Sequence, residues 1–247
     1  MAAVAPGVAG TAFNSFTSKE INAIVDTAHS LGVKVAVHSN GKDAPLFLQG
    51  RKAAVDSVEH AYEWFGQKSF GEELSPVSNA NTPIWVPTLS AYYTLSRNTK
   101  VWATAQETFR RAIQEPVGVK IACGGDTGVF PHGDNSLEMK LMVRLGAHWS
   151  DVLRWGTLGG WECIRSRRWE GPDGEERLQN VEMLEEDARV VGDNEVPFGA
   201  VRKGFAADII ATSGDMESDF EHAVDKGSIV FVMKGGRVYK RDGRESV

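Results

Sequence analysis

The sequence predicts an α/β fold with a parallel sheet, followed by a β-rich tail. Three observations support this prediction. Strand-like apolar segments alternate with helix-like segments four times, and their spacing suits right-handed βαβ connections. Past residue 198 the pattern changes to short, closely spaced strands. A chain of 247 residues can bury a large core, which fits one barrel or two modest domains.

The predicted elements follow from the periodicity of apolar residues and from the Gly and Pro residues that end helices and strands. The first helix is capped by Thr17 or Ser18 and ends at Gly32. Strands are predicted at 33–37, 55–60, 84–89, 119–123, 206–211, 228–234 and 236–240. Helices are predicted at 19–31, 44–53, 101–114, 137–145 and 150–163, with a poor helical region at 70–78 that contains Pro76.

Composition narrows the class of protein. Hydrophobic and charged fractions of 42% and 24% are ordinary for a soluble globular protein, and the net charge of -6 argues against nucleic acid or an anionic membrane as a partner. Cys123 and Cys163 lie in apolar segments, where we interpret them as core thiols. We find no segment long enough to span a bilayer and no signal-peptide pattern, so a cytoplasmic location is expected.

The stretch that organises the chain is Val119–Glu138, with the sequence VKIACGGDTGVFPHGDNSLE. Two glycines follow its apolar run, and Asp126 stands just past the predicted strand end. Asp134 or Asn135 is a candidate cap for the next helix, with Glu138 in its first turn. A carboxylate at the C-terminal end of a buried parallel strand lies where α/β barrels carry out their chemistry. The alternative is that Asp126 is a turn or capping residue.

Two histidines decide between these alternatives. His38 and His60 each end a predicted strand, as Asp126 does, and the C-terminal ends of parallel strands converge on one face. A lone strand-end histidine is usually an ordinary polar residue. Three such residues on one face favour a metal site, because imidazole and carboxylate groups suit zinc and similar divalent ions.

The chain resembles the amidohydrolase superfamily, within it the imidazolonepropionase-like and Xaa-Pro-dipeptidase-like enzymes. The resemblance rests on VAVHSNG, VDSVEHAYEW, VPTLSAYY, GVKIACGGDTGVFPHGDN and ADIIATSGD with VFVMKGGRVY. Together these stretches represent most of the chain outside a charged segment, 165–197. The family is a metal-dependent (β/α)8 barrel with a small β-sandwich. The resemblance therefore implies a partial barrel at 1–164 and β-sandwich strands at 198–247. The charge density of 165–197 predicts a solvated insertion between them, a surface loop that is partly helical around Glu175–Asp187.

The resemblance also implies roles for the strand-end residues. His38 and His60 match metal-binding histidines after the fifth and sixth strands of the barrel. Asp126 matches the aspartate after the eighth strand, which touches the metal and shuttles a proton. The expected cofactor is a divalent metal, zinc in the first place. The expected reaction is hydrolysis of an amide or other C–N bond in a small molecule or dipeptide by metal-activated water.

The chain departs from the family pattern in two ways. Asn40 stands where the family often has a second histidine. No counterpart exists for the family's His-x-His after the first strand or its bridging lysine after the fourth. The chain thus looks like the C-terminal half of the enzyme, with strands five to eight and the tail. Two alternatives to an active hydrolase stay open: an inactive fragment or pseudoenzyme that serves as a binding or assembly subunit, and a metal-free small-molecule binding module. The half-barrel is expected to be an incomplete version of a full enzyme, and the alternative is a homodimer that closes an eight-stranded barrel.

Four further residues are candidates for contact with a small-molecule or peptide-like substrate. Asn40 follows the first strand, His132 lies on the loop after the fourth, and Tyr92 and Tyr93 follow the third. The alternatives are a surface or capping role for His132 and ordinary packing for the aromatic side chains.

Overall fold

The structure is a computed structural model that describes residues 16–40, 55–63, 83–114, 119–183 and 196–246. The helical segments predicted at 44–53 and 70–78 lie outside these residues. The described residues form a mixed α/β fold with one parallel and one antiparallel four-stranded sheet, which confirms the predicted α/β class. Within these ranges, we find no helix long and apolar enough to cross a membrane.

The parallel sheet has the strand order β1-β2-β3-β4, and each neighbouring pair is parallel. Its strands are β1 (Ala36–Ser39), β2 (Ser57–His60), β3 (Ile84–Val86) and β4 (Lys120–Ile121). All four are shorter than predicted, because apolar residues at their ends lie in loops or in a following helix rather than in the ladder. β1 also extends two residues past its predicted end at 37, so His38 lies within β1 and not after it.

Helices pack with the sheet in the main core, and the three predicted helices at 19–31, 101–114 and 137–145 agree with the structure within one residue at each end. The helices are α1 (Ser18–Ser30), α2 (Leu89–Ser96), α3 (Lys100–Gln114), α4 (Ser136–Arg144), α5 (Trp149–Gly156), α6 (Leu158–Ile164), α7 (Gly171–Gln179) and α8 (Phe220–Ala223), with 3-10 turns at Arg167–Trp169 and Val181–Met183. The cap of α1 is Thr17, which forms a reciprocal capping box with Glu20.

One helix prediction and one strand prediction are wrong. The segment 150–163 is not one helix, because the backbone at Thr157 leaves helical geometry with φ -116° and ψ -91° and separates α5 from α6. The predicted strand 84–89 runs too far: it ends at Val86, and Leu89 begins α2, a helix that the sequence patterns do not predict. This early start of α2 has consequences for the candidate site.

The main core lies between one face of the parallel sheet and the helices. Val37, Val58, Trp85 and Ile121 point to that face and are buried with Phe109 of α3. Because successive side chains alternate across a strand, His38 and Glu59, which are register partners, lie on the opposite face. The hydrophobic core therefore fixes the face on which the polar strand residues stand.

The charged segment after α6 is folded as far as residue 183. Trp169 and Val181 are 2% and 1% exposed and pack with Trp161 of α6. The surface-loop interpretation is therefore wrong for residues 165–183, because two buried apolar side chains are spaced among its charges. Helix α7 overlaps the start of the predicted helical part, 175–187. The predicted boundaries of this segment stay a prediction, and residues 184–195 lie outside the described part.

The tail forms the antiparallel sheet. Its strands are β5 (Ile209–Thr212), β6 (Ile229–Lys234), β7 (Arg237–Arg241) and β8 (Arg244–Glu245), in that order. Gly235 and Gly236, at φ 56° and 80°, join β6 to β7 in the two-residue turn that left-handed residues favour. The predicted hairpin is confirmed.

Candidate functional site at the C-terminal ends of the parallel strands

His38 and His60 lie side by side on neighbouring strands. Their ring centroids are 4.5 Å apart, and the rings meet edge to face at 69°. This contact follows from the parallel pairing of β1 with β2, in which His60 is opposite Ser39. The structure thus brings together two histidines that are 22 positions apart in the sequence.

The backbone around these histidines has an unusual conformation. Positive φ angles occur at His60 (70°), Ala61 (51°), Thr88 (50°) and Asp126 (61°). All four residues lie at or just after the C-terminal ends of β2, β3 and β4. Left-handed backbone costs free energy for residues other than Gly, most of all for a β-branched Thr, and such strain clusters at functional sites.

The ring of His60 is oriented by Thr88. The distance from His60 Nδ1 to Thr88 Oγ1 is 2.7 Å, and Trp85 Nε1 donates a hydrogen bond to the His60 carbonyl oxygen at 2.9 Å. No hydrogen bond in the described part of the chain engages His60 Nε2. A histidine held through Nδ1 can present Nε2 to a metal or a substrate.

Burial and like neighbours govern the electrostatics of the site. Burial, together with the proximity of His38, lowers the pKa of His60, and Asp126 partly opposes this change. Burial also raises the pKa of Glu59, and the nearby charge of Asp126 raises it further. A hydrogen bond from Ser57 Oγ at 2.7 Å acts in the opposite direction and lowers this pKa. Asp126 is thus close enough to influence both neighbours electrostatically, although its own side chain is exposed.

A buried carboxyl group lies behind the site. Glu138 of α4 is 0% exposed and accepts hydrogen bonds from the backbone N–H groups of Leu89 and Ser90 at 2.9 and 2.6 Å, and from Ser90 Oγ at 2.5 Å. Burial raises its pKa to about 7, although these hydrogen bonds favour the charged form. The prediction that Glu138 stands in the first turn of its helix is confirmed, but its carboxylate caps α2 instead.

The residues predicted to bind substrate are placed differently from one another. Tyr92 lies 6.2 Å from His60 and 5.2 Å from Tyr62, measured between ring centroids, so it belongs to the site. Tyr93 instead packs on Trp102 at 5.6 Å, away from the histidines. The structure therefore gives no support to Tyr93 as a substrate contact.

Asn40 and His132 lie at the edges of this region. Asn40 directly follows β1 and is half-buried, and its carbonyl oxygen accepts a hydrogen bond from the Glu63 N–H at 2.9 Å. His132 is exposed on the loop after β4. No hydrogen bond in the described ranges joins His132 to His38 or His60, and its role stays a prediction.

The donor set fits a divalent metal only in part. His38 and His60 provide two adjacent imidazoles of suitable chemistry, and burial disfavours protonation of His60. Over the residues that the structure describes, no group of three or more His, Cys, Asp or Glu side chains is arranged to hold a metal ion. Any complete metal centre would therefore need a ligand beyond this pair.

Solved structures similar to this chain share its fold. A Xaa-Pro dipeptidase with methionine bound in its active site matches 97% of the chain with a TM-score of 0.68 and 25% sequence identity. An ochratoxinase from A. niger matches 93% with a TM-score of 0.66 and 22% identity, and a prolidase complexed with N-methylphosphonate-L-proline matches 95% with a TM-score of 0.61 and 19% identity.

The resemblance to the amidohydrolase superfamily is confirmed. The chain spans about half of each of these structures, namely 52%, 46% and 51% of their lengths. This coverage agrees with the predicted correspondence to one half of such an enzyme. No protein-family model matches the sequence, and no curated protein matches it.

Two residues of the site were not recognised in the sequence. Thr88 follows Pro87 and gave no signal, because a β-branched residue is not expected in left-handed backbone. Glu138 did carry a signal: it precedes Leu141 and Met142 by three and four positions, on the buried face of α4. A carboxylate at a core position of an amphipathic helix indicates a specific buried partner.

Proposed function

We propose that the chain carries part of the active site of a metal-dependent hydrolase that cleaves amide or other C–N bonds in a small molecule or dipeptide. The observation that carries this proposal is the edge-to-face contact of His38 and His60 at the ends of adjacent parallel strands. The likeness to a dipeptidase, a prolidase and an ochratoxinase supports a hydrolase. Because the chain spans about half of those structures, the activity belongs to a site that is completed by further ligands.

We infer that the parallel sheet corresponds to strands five to eight of a (β/α)8 barrel and the antiparallel sheet to part of a β-sandwich. In such a barrel the catalytic residues lie at the C-terminal ends of the strands. His38, His60 and Asp126 fulfil that condition. The additional ligands would come from another part of a longer protein or from a second copy of this chain.

In this proposal His38 and His60 are two ligands of a divalent ion, with zinc the expected metal. The bound metal would lower the pKa of a water molecule and polarise the scissile carbonyl. Thr88 holds the His60 ring through Nδ1, so that Nε2 carries the lone pair that a metal requires. The low basicity of buried His60 favours this neutral form near pH 7.

Asp126 is the proposed proton shuttle. Its carboxylate would accept a proton from the attacking water while a bond forms between the water oxygen and the carbonyl carbon. It would then pass the proton to the leaving nitrogen as the C–N bond breaks. Tyr92, beside His60, would line the substrate side of the site, and Asn40 is a candidate hydrogen-bond partner for substrate.

A second candidate is an inactive subunit that binds or assembles without hydrolysis. It is favoured by the lack of a three-ligand metal group in the described ranges. The two candidates differ in whether the protein retains metal through both histidines.

The test is the zinc content of the gel-filtered protein, measured by elemental analysis with its mass determined by sedimentation equilibrium. We expect about one zinc per assembled site, a loss of at least tenfold in zinc affinity for His38→Ala and His60→Ala, and hydrolysis of dipeptides or N-acyl amino acids in the zinc-loaded peak. The matched control is His148→Ala, an exposed histidine at the start of α5, which should retain zinc.

Folded protein that takes up no zinc at any mass would refute the hydrolase proposal and favour the inactive subunit. Zinc that survives both substitutions would show that the metal lies elsewhere. The mass of the zinc-containing peak would show whether one or two copies form the site.

A further inference from the structure

Helix α2 begins without the usual cap. Its first residue is Leu89, and Thr88 stands at the N-cap position, where a Thr hydroxyl commonly accepts a hydrogen bond from the first turn. Thr88 makes no such bond, because its hydroxyl lies 2.7 Å from His60 Nδ1. The side chain that would normally cap the helix is thus engaged with a histidine of the candidate site.

Glu138 takes over the capping. Its two carboxylate oxygens accept the N–H groups of Leu89 and Ser90, and Ser90 Oγ adds a third hydrogen bond. The positive end of a helix dipole and two otherwise unsatisfied N–H donors suit a carboxylate at this place. This cap comes from α4, 48 and 49 residues later in the chain, and it leaves the Thr88 hydroxyl for His60.

The same cluster also touches the turn before Asp126. Gly125 is packed so tightly that a Cβ atom built there would lie 2.8 Å from Ser90 Oγ and 2.8 Å from Phe130 Cζ. Only Gly fits between these groups without displacement. The hydroxyl that donates to Glu138 therefore also forms the wall against which the Gly124-Gly125 turn rests, one residue before Asp126.

We propose that Glu138 is a positioning residue that sets the orientation of His60 through Leu89 and Thr88, and the position of Asp126 through Ser90 and Gly125. Glu138 reaches neither side chain itself. It holds the start of α2 in a geometry where Thr88 adopts left-handed backbone and presents its hydroxyl to Nδ1. The proposal rests on the proposed function for its significance, but the geometry concerns the protein without metal.

The test observes the His60 ring directly. In the full-length, 15N-labelled, metal-free protein, long-range 1H–15N NMR spectra report which ring nitrogen of each histidine carries the proton, and the spectrum of His60→Ala assigns the signals. We expect His60 to be largely the Nδ1–H tautomer in the wild type, with Nδ1–H donating to Thr88 Oγ1, which lies 2.7 Å away. In Glu138→Gln and in Thr88→Val we expect a mixture of tautomers.

Zinc alone is the second probe. Loss of the positioning chain should weaken zinc binding about 10- to 100-fold in Glu138→Gln, as is typical for residues that orient a metal ligand. Ser90→Ala, which removes one hydrogen bond of three, should have a smaller effect in both measurements. The matched control is Met142→Ala, which truncates a fully buried side chain of the same helix that forms no hydrogen bond in this cluster, compared at equal fraction folded.

Unchanged His60 signals in Glu138→Gln, or an equal change in Met142→Ala, would overturn the proposal. If Glu138→Gln does not fold, Ser90→Ala decides, and an unchanged His60 tautomer in that variant refutes the positioning chain. If the wild type binds no zinc, the proposed function fails while the tautomer comparison still decides the role of Glu138.

Discussion

Histidine and carboxylate groups lie at both ends of the parallel sheet, but they are paired differently at the two ends. At the amino end, Asp56 accepts hydrogen bonds from the Val35 N–H at 2.8 Å and from Arg167 Nη1 at 3.1 Å, and it lies 2.8 Å from His29 Nε2. At the carboxyl end, His38 stands against His60, and Asp126 acts on Glu59. Opposite charges meet at one end, and like groups meet at the other.

Two carboxylates show what this difference does. Glu170 lies at the amino end. Burial acts to raise its pKa, but the hydrogen bonds from Arg165 and Lys34 have the larger effect, so the pKa of Glu170 is lowered. Glu59, at the carboxyl end, has its pKa raised by burial and by Asp126. Left-handed backbone adds to the contrast, because in the parallel sheet region of the described chain it occurs at the carboxyl end for residues other than Gly.

The amino end of the sheet therefore pairs opposite charges, whereas the carboxyl end combines buried like groups with left-handed backbone, and the proposed function assigns chemistry to that end. This is the division expected when active sites lie at the C-terminal ends of barrel strands. Removing a carboxylate should therefore lower the free energy of unfolding at the amino end and raise it at the carboxyl end.

The largest effect is expected for Asp56→Asn. This change removes the charge that Arg167 and His29 share, and leaves the Arg167 guanidinium without its carboxylate partner. We expect the free energy of unfolding to fall by about 2 to 4 kcal/mol in urea denaturation, with the zinc affinity of the folded protein unchanged. A loss below about 0.5 kcal/mol would contradict the view that this end carries stability.

The second effect concerns pH and Glu138. Its pKa rises from 4.5 to about 7 on folding, so the folded state binds the proton more tightly than the unfolded state between these values. The contribution of Glu138 protonation to the free energy of unfolding is therefore fully present below pH 4.5 and is lost as the pH rises through about 7. At 2.303RT per pH unit the whole shift corresponds to about 3.4 kcal/mol, and about 2.5 kcal/mol of it is lost between pH 5 and pH 8.

The measurement is urea denaturation of the wild type and of Glu138→Gln at both pH values. The Gln variant removes this titration and serves as the reference for all other groups. Equal pH dependence in the two proteins would mean that the hydrogen bonds from Leu89 and Ser90 keep Glu138 ionised throughout.

The smallest effect is expected for Glu59→Gln, the counterpart of Asp56→Asn near the other end of the same strand. Removing a half-buried charge that lies near Asp126 should stabilise the protein by about 1 kcal/mol at pH 7.5, in the opposite direction from Asp56→Asn. Urea denaturation of the pair decides this. Destabilisation of both variants by similar amounts would remove the distinction between the two ends of the sheet.

Local signals accounted for much of the fold. Thr17 and Glu20 form a capping box within one turn, so the start of α1 could be predicted from neighbouring residues alone. The hairpin at Gly235 and Gly236 is similarly local. The pairing of His38 with His60 was predictable for another reason: parallel strands place their C-terminal ends together whatever the loops between them contain.

The remaining features depend on contacts between distant parts of the chain. Helix α2 begins at Leu89 because Glu138 satisfies its first N–H groups, and no residue near Leu89 signals this. Tyr92 and Tyr93 are adjacent in the sequence, yet the helix turns one toward His60 and the other toward Trp102. Charge density in 165–183 concealed the burial of Trp169.

The sequence by itself determined the α/β class and the parallel pairing that places His38 beside His60, because these depend on periodicity and on the geometry of parallel strands. Only the tertiary structure decided how the site is held. The left-handed backbone at Thr88, the hydroxyl on His60 Nδ1 and the cap from Glu138 are each unfavourable or unremarkable as local patterns. They are stable together because a buried carboxylate and the N–H groups at the start of a distant helix satisfy each other.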